Sequence, residues 1–229
     1  ERVVEIGPGG GVLTAALVAA GAARVLGWEI DLAWAFELRR RLAAERRLAI
    51  VVADALDLDW PSLARRGLAF SANPAFSANR VLAAGNLPYN VATPILEALL
   101  PHHAAVPRAA FLVQKEVGER LVAGPGDAAY GSLSVLVAAY AEARLLGRVS
   151  KGAFRPPPKV ESAVVRLVPL EVPLEIDEHL LRKAFSARRK MLRNALPGID
   201  FAALGIDPRL RPENLSPEDY ARLSMNSIL

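Results

Sequence analysis

The chain has 229 residues, 52% of them hydrophobic, with a mean hydropathy of +0.24. That excludes wholesale disorder and allows one α/β domain with a small appendage. Lys and Arg number 28 against 24 Asp and Glu, a net charge of +4 that permits a nucleic-acid partner without demanding one. Cysteine is absent and only 3 His occur, two of them adjacent, which excludes a disulfide framework and cysteine catalysis and leads us to expect no metal.

In chain order, Arg2–Ile6 is a short β-type run ended by Gly7-Pro8-Gly9-Gly10-Gly11. Val12, Leu13, Ala16, Leu17 and Ala20 then recur at helical spacing, and Gly21 closes that helix. The uncharged run from Ile6 to Ala23 holds Pro8 and five glycines, a poor lipid-spanning helix, so no membrane association is expected. No signal-peptide pattern opens the chain, and the expected compartment is cytoplasmic by default. Arg24–Ile30 is a second strand, Ala33–Arg47 a helix with a basic face, and Leu48–Ala53 a third strand followed by Asp54. A tandem hexad, Ala69-Phe-Ser-Ala-Asn-Pro and Ala75-Phe-Ser-Ala-Asn-Arg, is expected to be a loop insertion. Val81–Ala84 is a fourth strand, ended by Gly85-Asn86-Leu87-Pro88-Tyr89-Asn90. Thr93 is placed to cap a helix that begins at Pro94. Arg108–Val113 is a fifth strand, followed by helices over Gln114–Val122 and Ser132–Tyr140.

Strands alternating with helices at this spacing predict parallel βαβ units in a doubly wound sheet. Glu142–Ser150 and Ser162–Val168 form an antiparallel pair at its edge, around the loop Lys151–Glu161. From Asp177 only helical patterns remain, over His179–Leu196, Phe201–Leu204 and Pro217–Leu223. The expected division is residues 1–170 and a small helical domain over 171–229.

The glycine loop follows a strand and opens a helix, so a ligand can approach its backbone closely. The dinucleotide pattern from Gly7 needs a glycine where Val12 stands, and a Gly-Lys-Ser/Thr phosphate loop is missing. An adenosine-type ligand without phosphates remains. Glu29, at the end of the second strand, suits the two hydroxyls of a ribose. Asp54, at the end of the third, can accept from an adenine amino group. Asn86 and the Leu87 carbonyl are two adjacent acceptors for an exocyclic amine, Pro88 stiffens them, and Tyr89 offers a ring for stacking. A plain strand-to-helix turn with a buried Tyr accounts for the same residues. Three prolines stiffen Phe154-Arg155-Pro156-Pro157-Pro158-Lys159, holding Phe154 over the pocket and presenting Arg155 and Lys159 to phosphates. Arg182, Lys183, Arg188, Arg189, Lys190 and Arg193 lie on one predicted helix with no acid among them, a pattern suited to RNA phosphates.

These elements carry a resemblance. Glu-x-Gly-x-Gly-x-Gly from Glu5, Glu29, Asp54-Ala55 and Asn86-Leu-Pro-Tyr-Asn are similar to the S-adenosylmethionine-dependent rRNA adenine N6-dimethyltransferases. Phe111-Leu-Val-Gln-Lys-Glu-Val, Tyr130-Gly-Ser-Leu-Ser, Phe154-Arg-Pro-Pro-Pro-Lys-Val-Glu-Ser and Phe185-Ser-Ala-Arg-Arg-Lys-Met-Leu-Arg-Asn extend it over nearly the whole chain. The bacterial small-subunit branch resembles it more than the macrolide-resistance methylases of large-subunit rRNA. The resemblance implies a Rossmann-like class I methyltransferase fold with S-adenosylmethionine as cofactor. It implies cofactor contacts at Glu5, Gly7, Gly9, Gly11, Glu29, Ile30, Asp54, Ala55 and Asn86, and a catalytic set of Asn86, Leu87, Pro88, Tyr89 and Phe154. The implied partner is small-subunit rRNA, bound by a monomer. The family's Gln-Asn-Phe-Leu segment upstream of the first strand is not matched, which leads us to expect an incomplete cofactor pocket. DNA adenine methylation, large-subunit methylation and a non-catalytic ribosome-assembly role on the same fold remain as alternatives.

Overall fold

The structure, a computed structural model, describes residues 1–65, 80–102 and 104–226. The repeated hexad therefore lies outside the described residues, apart from its last residue, Arg80. Five strands follow the expected parallel order: β1 (Arg2–Ile6), β2 (Arg24–Glu29), β3 (Leu48–Val52), β4 (Leu82–Asn86) and β5 (Ala109–Gln114). With β6 (Ala141–Val149) and β7 (Ser162–Pro169) they make one sheet in the order β3-β2-β1-β4-β5-β7-β6. β7 is antiparallel to both neighbours, so the expected edge pair is present. The sheet reverses its order of addition beside β1, which pairs in parallel with both β2 and β4. In such sheets the crevice outside the strands' carboxyl ends at this point is open to a ligand.

Helices α1 (Val12–Ala19) and α2 (Leu32–Arg41) cover one face. Val3, Val25 and Ala84 form one small core on that face, and Ala35, Leu38 and Ile50 another. A short helix α3 (Trp60–Arg65), α4 (Ala92–Leu99), α5 (Lys115–Val122) and α6 (Ser132–Tyr140) follow in the chain. The main core joins Ile6, Phe111 and Val165 of the sheet with Leu96, Leu121 and Leu136 of these helices. It continues without a break into Leu181, Leu192 and Leu223 of α7 (Glu178–Ser186), α8 (Leu192–Ala195) and α9 (Pro217–Asn226). The buried Tyr130 hydroxyl donates to the Leu215 carbonyl at 2.8 Å, and the Phe185 ring stacks on Tyr220 at 5.8 Å between centroids. The first contact ties the C-terminal segment to the chain just ahead of α6, and the second packs α7 against α9.

Four expectations about helices are corrected. α2 ends at Arg41, short of Arg47, because the chain must turn to enter β3; the turn is closed by Glu45 N–H donating to the Leu42 carbonyl and by the Arg47–Glu45 pair at 2.7 Å. α4 begins at Ala92 with Val91 at its N-cap, so Thr93 lies inside the first turn. Pro94 is also within that turn, where a missing N–H costs nothing. The single helix expected over His179–Leu196 is broken after Ser186. There the N–H groups of Leu192 and Arg193 donate to the Leu210 and Pro208 carbonyls, a partner distant in sequence that local periodicity does not reveal. Residues 201–204 form turns, with Leu204 N–H donating to the Phe201 carbonyl, in place of a helix. The unexpected α3 carries a readable sign, Asp59 accepting from the Ser62 N–H at 2.9 Å just ahead of the buried Trp60.

β1 and α1 share one buried polar contact. Glu5 is 1% exposed, and the Thr14 hydroxyl donates to its Oε2 at 2.7 Å. Burial raises the Glu5 carboxyl to about 6, and the Thr14 hydrogen bond opposes this. A carboxyl raised on folding adds stability while protonated and loses it as pH rises. The Glu5 contribution is therefore complete below about pH 4.5 and gone above about pH 6, a span worth about 2 kcal/mol. Glu5→Gln keeps an acceptor for Thr14 and should remove this slope, so urea unfolding at pH 7.5 should find it more stable than the parent by about 1–2 kcal/mol. Equal stability at pH 7.5 would contradict a buried, ionising Glu5.

Candidate functional site

The ends of β1, β2, β3 and β4 converge on one crevice, and the glycine loop forms its floor. Gly7 has φ +65°, and a side chain added there would sit 3.9 Å from the Asn86 carbonyl oxygen, so the loop lies directly against the end of β4. Gly11 serves a different purpose. It has φ +75° at the N-cap of α1, and a Cβ there would fall 2.3 Å from Leu38 Cδ1. The left-handed backbone favours glycine there, and a larger residue would also displace the Leu38 side chain of α2. Gly9 is positioned by its N–H, which donates to Glu29 Oε2 at 2.9 Å.

Glu29 is the hinge of this arrangement. Its Oε1 accepts from Asp31 N–H at 3.0 Å while Oε2 holds Gly9, so one carboxylate at the end of β2 joins the glycine loop to the start of α2. It is 6% exposed. A carboxylate has about four acceptor positions, and two remain for hydroxyl donors. Asp31 in turn caps α2 by accepting from Ala33 and Trp34 N–H. Ile30, between these two acids, is 67% exposed beside the crevice, a free apolar surface.

Asp54 follows β3. Its Oδ1 accepts from Leu56 N–H at 2.9 Å, capping the 3-10 turn Ala55–Asp57, and the Trp28 indole N–H donates to its carbonyl at 2.7 Å. Asp54 is thus a cap and is also rigidly held, with its second oxygen not engaged by the cap. Ala55 is partly buried beside it. Glu5 lies beneath the loop, shielded from the crevice and engaged by Thr14, whereas Glu29, Ile30 and Asp54 stand at the strand ends.

On the far side of β4, Asn86 is exposed and Leu87 is buried, with Leu87 N–H donating to the Leu112 carbonyl at 3.0 Å. No backbone N–H among the described residues reaches the Leu87 carbonyl. Asn86, Leu87, Pro88 and Tyr89 line an open cavity of about 340 Å³ together with Phe154, Pro156 and Pro158. The two motifs, about 70 residues apart in the chain, are brought to one cavity beside the crevice. Sequence reading missed Ser162, whose buried Oγ lies 2.9 Å from the Tyr89 hydroxyl. Its place at the end of the Phe154 motif was visible, but the link to Tyr89 needs the sheet register. Lys115 pairs with Glu161 at 3.1 Å on the adjoining strand end.

The donor set fits an adenosyl cofactor. The loop turns at Gly7 and Gly9 with positive φ, the acids at the ends of β2 and β3 are held in place, and the exposed Ile30 follows Glu29 directly in the chain. Among the described residues no group of three His, Cys, Asp or Glu could hold a metal, and no helix is long and apolar enough to cross a membrane.

The expected six-cation helix is corrected. The six cations spread over α7, the turn after it and α8. Two of them have acidic partners outside the sequence window: Arg182 pairs with Glu178 at 2.8 Å and Glu97 at 3.8 Å, and Arg188 with Glu213 at 2.6 Å. Lys183, Arg189, Lys190 and Arg193 are exposed and form no ion pair with the described residues, and Arg155 and Lys159 are likewise exposed.

A family model described as ribosomal RNA adenine dimethylase matches residues 1–226. The chain is similar to the ribosomal RNA small subunit methyltransferase A of Methylococcus capsulatus, 42% identical over 233 residues, covering 98% of this chain and 86% of that protein. The protein of that name from Pseudomonas aeruginosa is 38% identical over 234 residues, with 98% and 83% covered. A dimethyladenosine transferase from Plasmodium falciparum superposes with a TM-score of 0.77 at 25% identity, covering 98% of this chain and 89% of that one. The fold is that of a Rossmann-like class I methyltransferase, and the chain belongs to the ribosomal RNA adenine dimethylase family.

Proposed function

We propose that this chain transfers methyl groups from S-adenosylmethionine to N6 of adjacent adenosines in small-subunit rRNA, as a step in ribosome biogenesis. The observation that carries this reading is the cavity shared by Asn86–Tyr89 and Phe154–Pro158, opening beside the crevice that Glu29 and Asp54 border. The names and identities of the curated relatives support the substrate class.

In this reading Glu29 accepts from the ribose hydroxyls, Asp54 from the adenine amino group, and Gly7, Gly9 and Ile30 face the bound molecule. Ala55 and Gly11 shape its surroundings, and Glu5 acts from beneath by holding α1 to β1. When bound, the cofactor would supply a methyl on a sulfonium, an electrophile that requires no metal: its S–CH3 bond breaks to leave a neutral thioether, and the proton lost from N6 passes to water at the open cavity. The target base is taken out of its stack and held between Tyr89 and Phe154. Asn86 Oδ1 and the Leu87 carbonyl accept the two N6 hydrogens, favour a pyramidal nitrogen and aim its lone pair toward the crevice. Pro88 keeps the two acceptors at a fixed spacing. Most of the acceleration then comes from positioning. A second transfer to the same nitrogen proceeds with one N–H, so stacking must hold more of the orientation.

Residues 1–170 would carry this chemistry and residues 171–229 the main RNA contacts, with Arg155 and Lys159 reaching phosphates from the catalytic side. The proposed enzyme is a cytoplasmic monomer. On small subunits lacking these methyl groups, Asn86→Ala should lower turnover by about 10²-fold or more. Activity within a few-fold of the parent would remove Asn86 from the chemistry. Replacing Lys183, Arg189, Lys190 and Arg193 together by Ala should weaken subunit binding and flatten its dependence on salt, whereas Arg182→Ala, which removes a cation already paired, should leave the slope near that of the parent. Binding with the parental slope after the fourfold change would contradict the assignment.

A further inference from the structure

Tyr89 and Phe154 both line the cavity, yet they belong to distant segments. Tyr89 follows β4, while Phe154 is in the loop that runs into β7. The direct hydrogen bond between these segments at the cavity is that of the Tyr89 hydroxyl with Ser162 Oγ, at 2.9 Å. Ser162 is fully buried and is the first residue of β7, in register with Gln114 of β5 and Val149 of β6. The residue before it is tied as well, since Lys115 N–H donates to the Glu161 carbonyl at 2.9 Å and Lys115 Nζ pairs with the Glu161 carboxylate. The hydroxyl therefore projects from a backbone position fixed on both sides.

We propose that Ser162 is a positioning residue that fixes the direction of the Tyr89 ring axis and so the place of the ring in the base cavity. This rests on the reading of Tyr89 as the stacking surface for the target base. The ring is anchored near its root by the Pro88-Tyr89 backbone and at its far end by Ser162. Because the hydroxyl lies on the Cβ–Cγ axis, the bond stops the ring from swinging about Cα–Cβ and keeps it at the cavity. With the hydroxyl released, the ring samples other orientations, and the stacked geometry is populated for a smaller share of the time. The consequence is unequal for the two methyl transfers. An unmethylated amine is oriented by two acceptors and by stacking. A monomethylated amine has lost one N–H, so its orientation leans more on the ring. Loss of the Ser162 bond should slow the second transfer more than the first.

The test measures mono- and dimethyladenine formed on small subunits lacking these groups, for Tyr89→Phe, Ser162→Ala and the double variant. The expected result is a fall in kcat of about three- to tenfold for each single variant, the size of one neutral hydrogen bond. The KM for the cofactor should stay unchanged, monomethyladenine should accumulate, and the double variant should be no slower than the slower single one. Tyr89→Phe removes one partly buried oxygen and leaves the core of β7 intact, so it remains informative if Ser162→Ala folds poorly. Parental kcat and parental product ratio in Tyr89→Phe would overturn the inference. Tyr89→Ala separates it from the reading beneath. If Tyr89→Ala is inactive while Tyr89→Phe is fully active, the ring matters and the Ser162 bond does not; if Tyr89→Ala is fully active, the stacking role itself is wrong.

Discussion

The reversal of strand order at β1 governs the placement of everything else. Because β1 pairs in parallel with both β2 and β4, the connections after them leave in opposite directions around the sheet and open a gap above their carboxyl ends. The chain must turn sharply as it enters the gap, which Gly7 does with φ +65° beside the Asn86 carbonyl. Gly85 answers to close packing, since a Cβ there would fall 2.5 Å from the Ile6 carbonyl oxygen. Any larger residue would push β4 away from β1 and carry Asn86 with it.

Within that frame, carboxylates do two kinds of work. Glu5 is shut into the interior and shifted toward its neutral form, so it acts as a buried polar pin between β1 and α1. Glu29 lies at the strand end with two backbone N–H donors, which hold its charge in place and leave acceptor positions toward the crevice. The base cavity follows a related principle. Prolines of both lining segments and the Tyr89–Ser162 bond restrict the groups that must meet the base before it arrives.

Much of this was legible in the sequence, and the reasons are local. The five parallel strands, the glycine loop, the acids at strand ends and the Asn86–Tyr89 segment all lie within short windows whose turn chemistry and periodicity speak for themselves. Several of the places where the reading failed depend on partners far away in the chain. The helix from His179 breaks where residues 192 and 193 bond to the turn around 208–210. The cluster around Arg188 looked unbalanced because Glu213 and Glu97, which neutralise Arg188 and Arg182, are outside any sequence window. Ser162 was visible as part of a motif, but its contact with Tyr89 depends on the antiparallel register of β7 against β5. The glycines look alike in sequence and separate only in space, Gly7 facing the crevice and Gly11 packing against Leu38.

The central claim is that the crevice at β1 and β4 delivers a methyl group to an adenine N6 held at Asn86 and Tyr89. The most direct measurement is to incubate the protein with methyl-labelled S-adenosylmethionine and, in parallel, undermethylated small subunits, large subunits and adenine-containing DNA. The labelled nucleotide is then identified by mass spectrometry. The account predicts label on N6 of adjacent adenosines in small-subunit rRNA, as the dimethylated base, with little on the other two substrates. Label confined to large subunits or DNA, or binding to small subunits without any transfer, would contradict it.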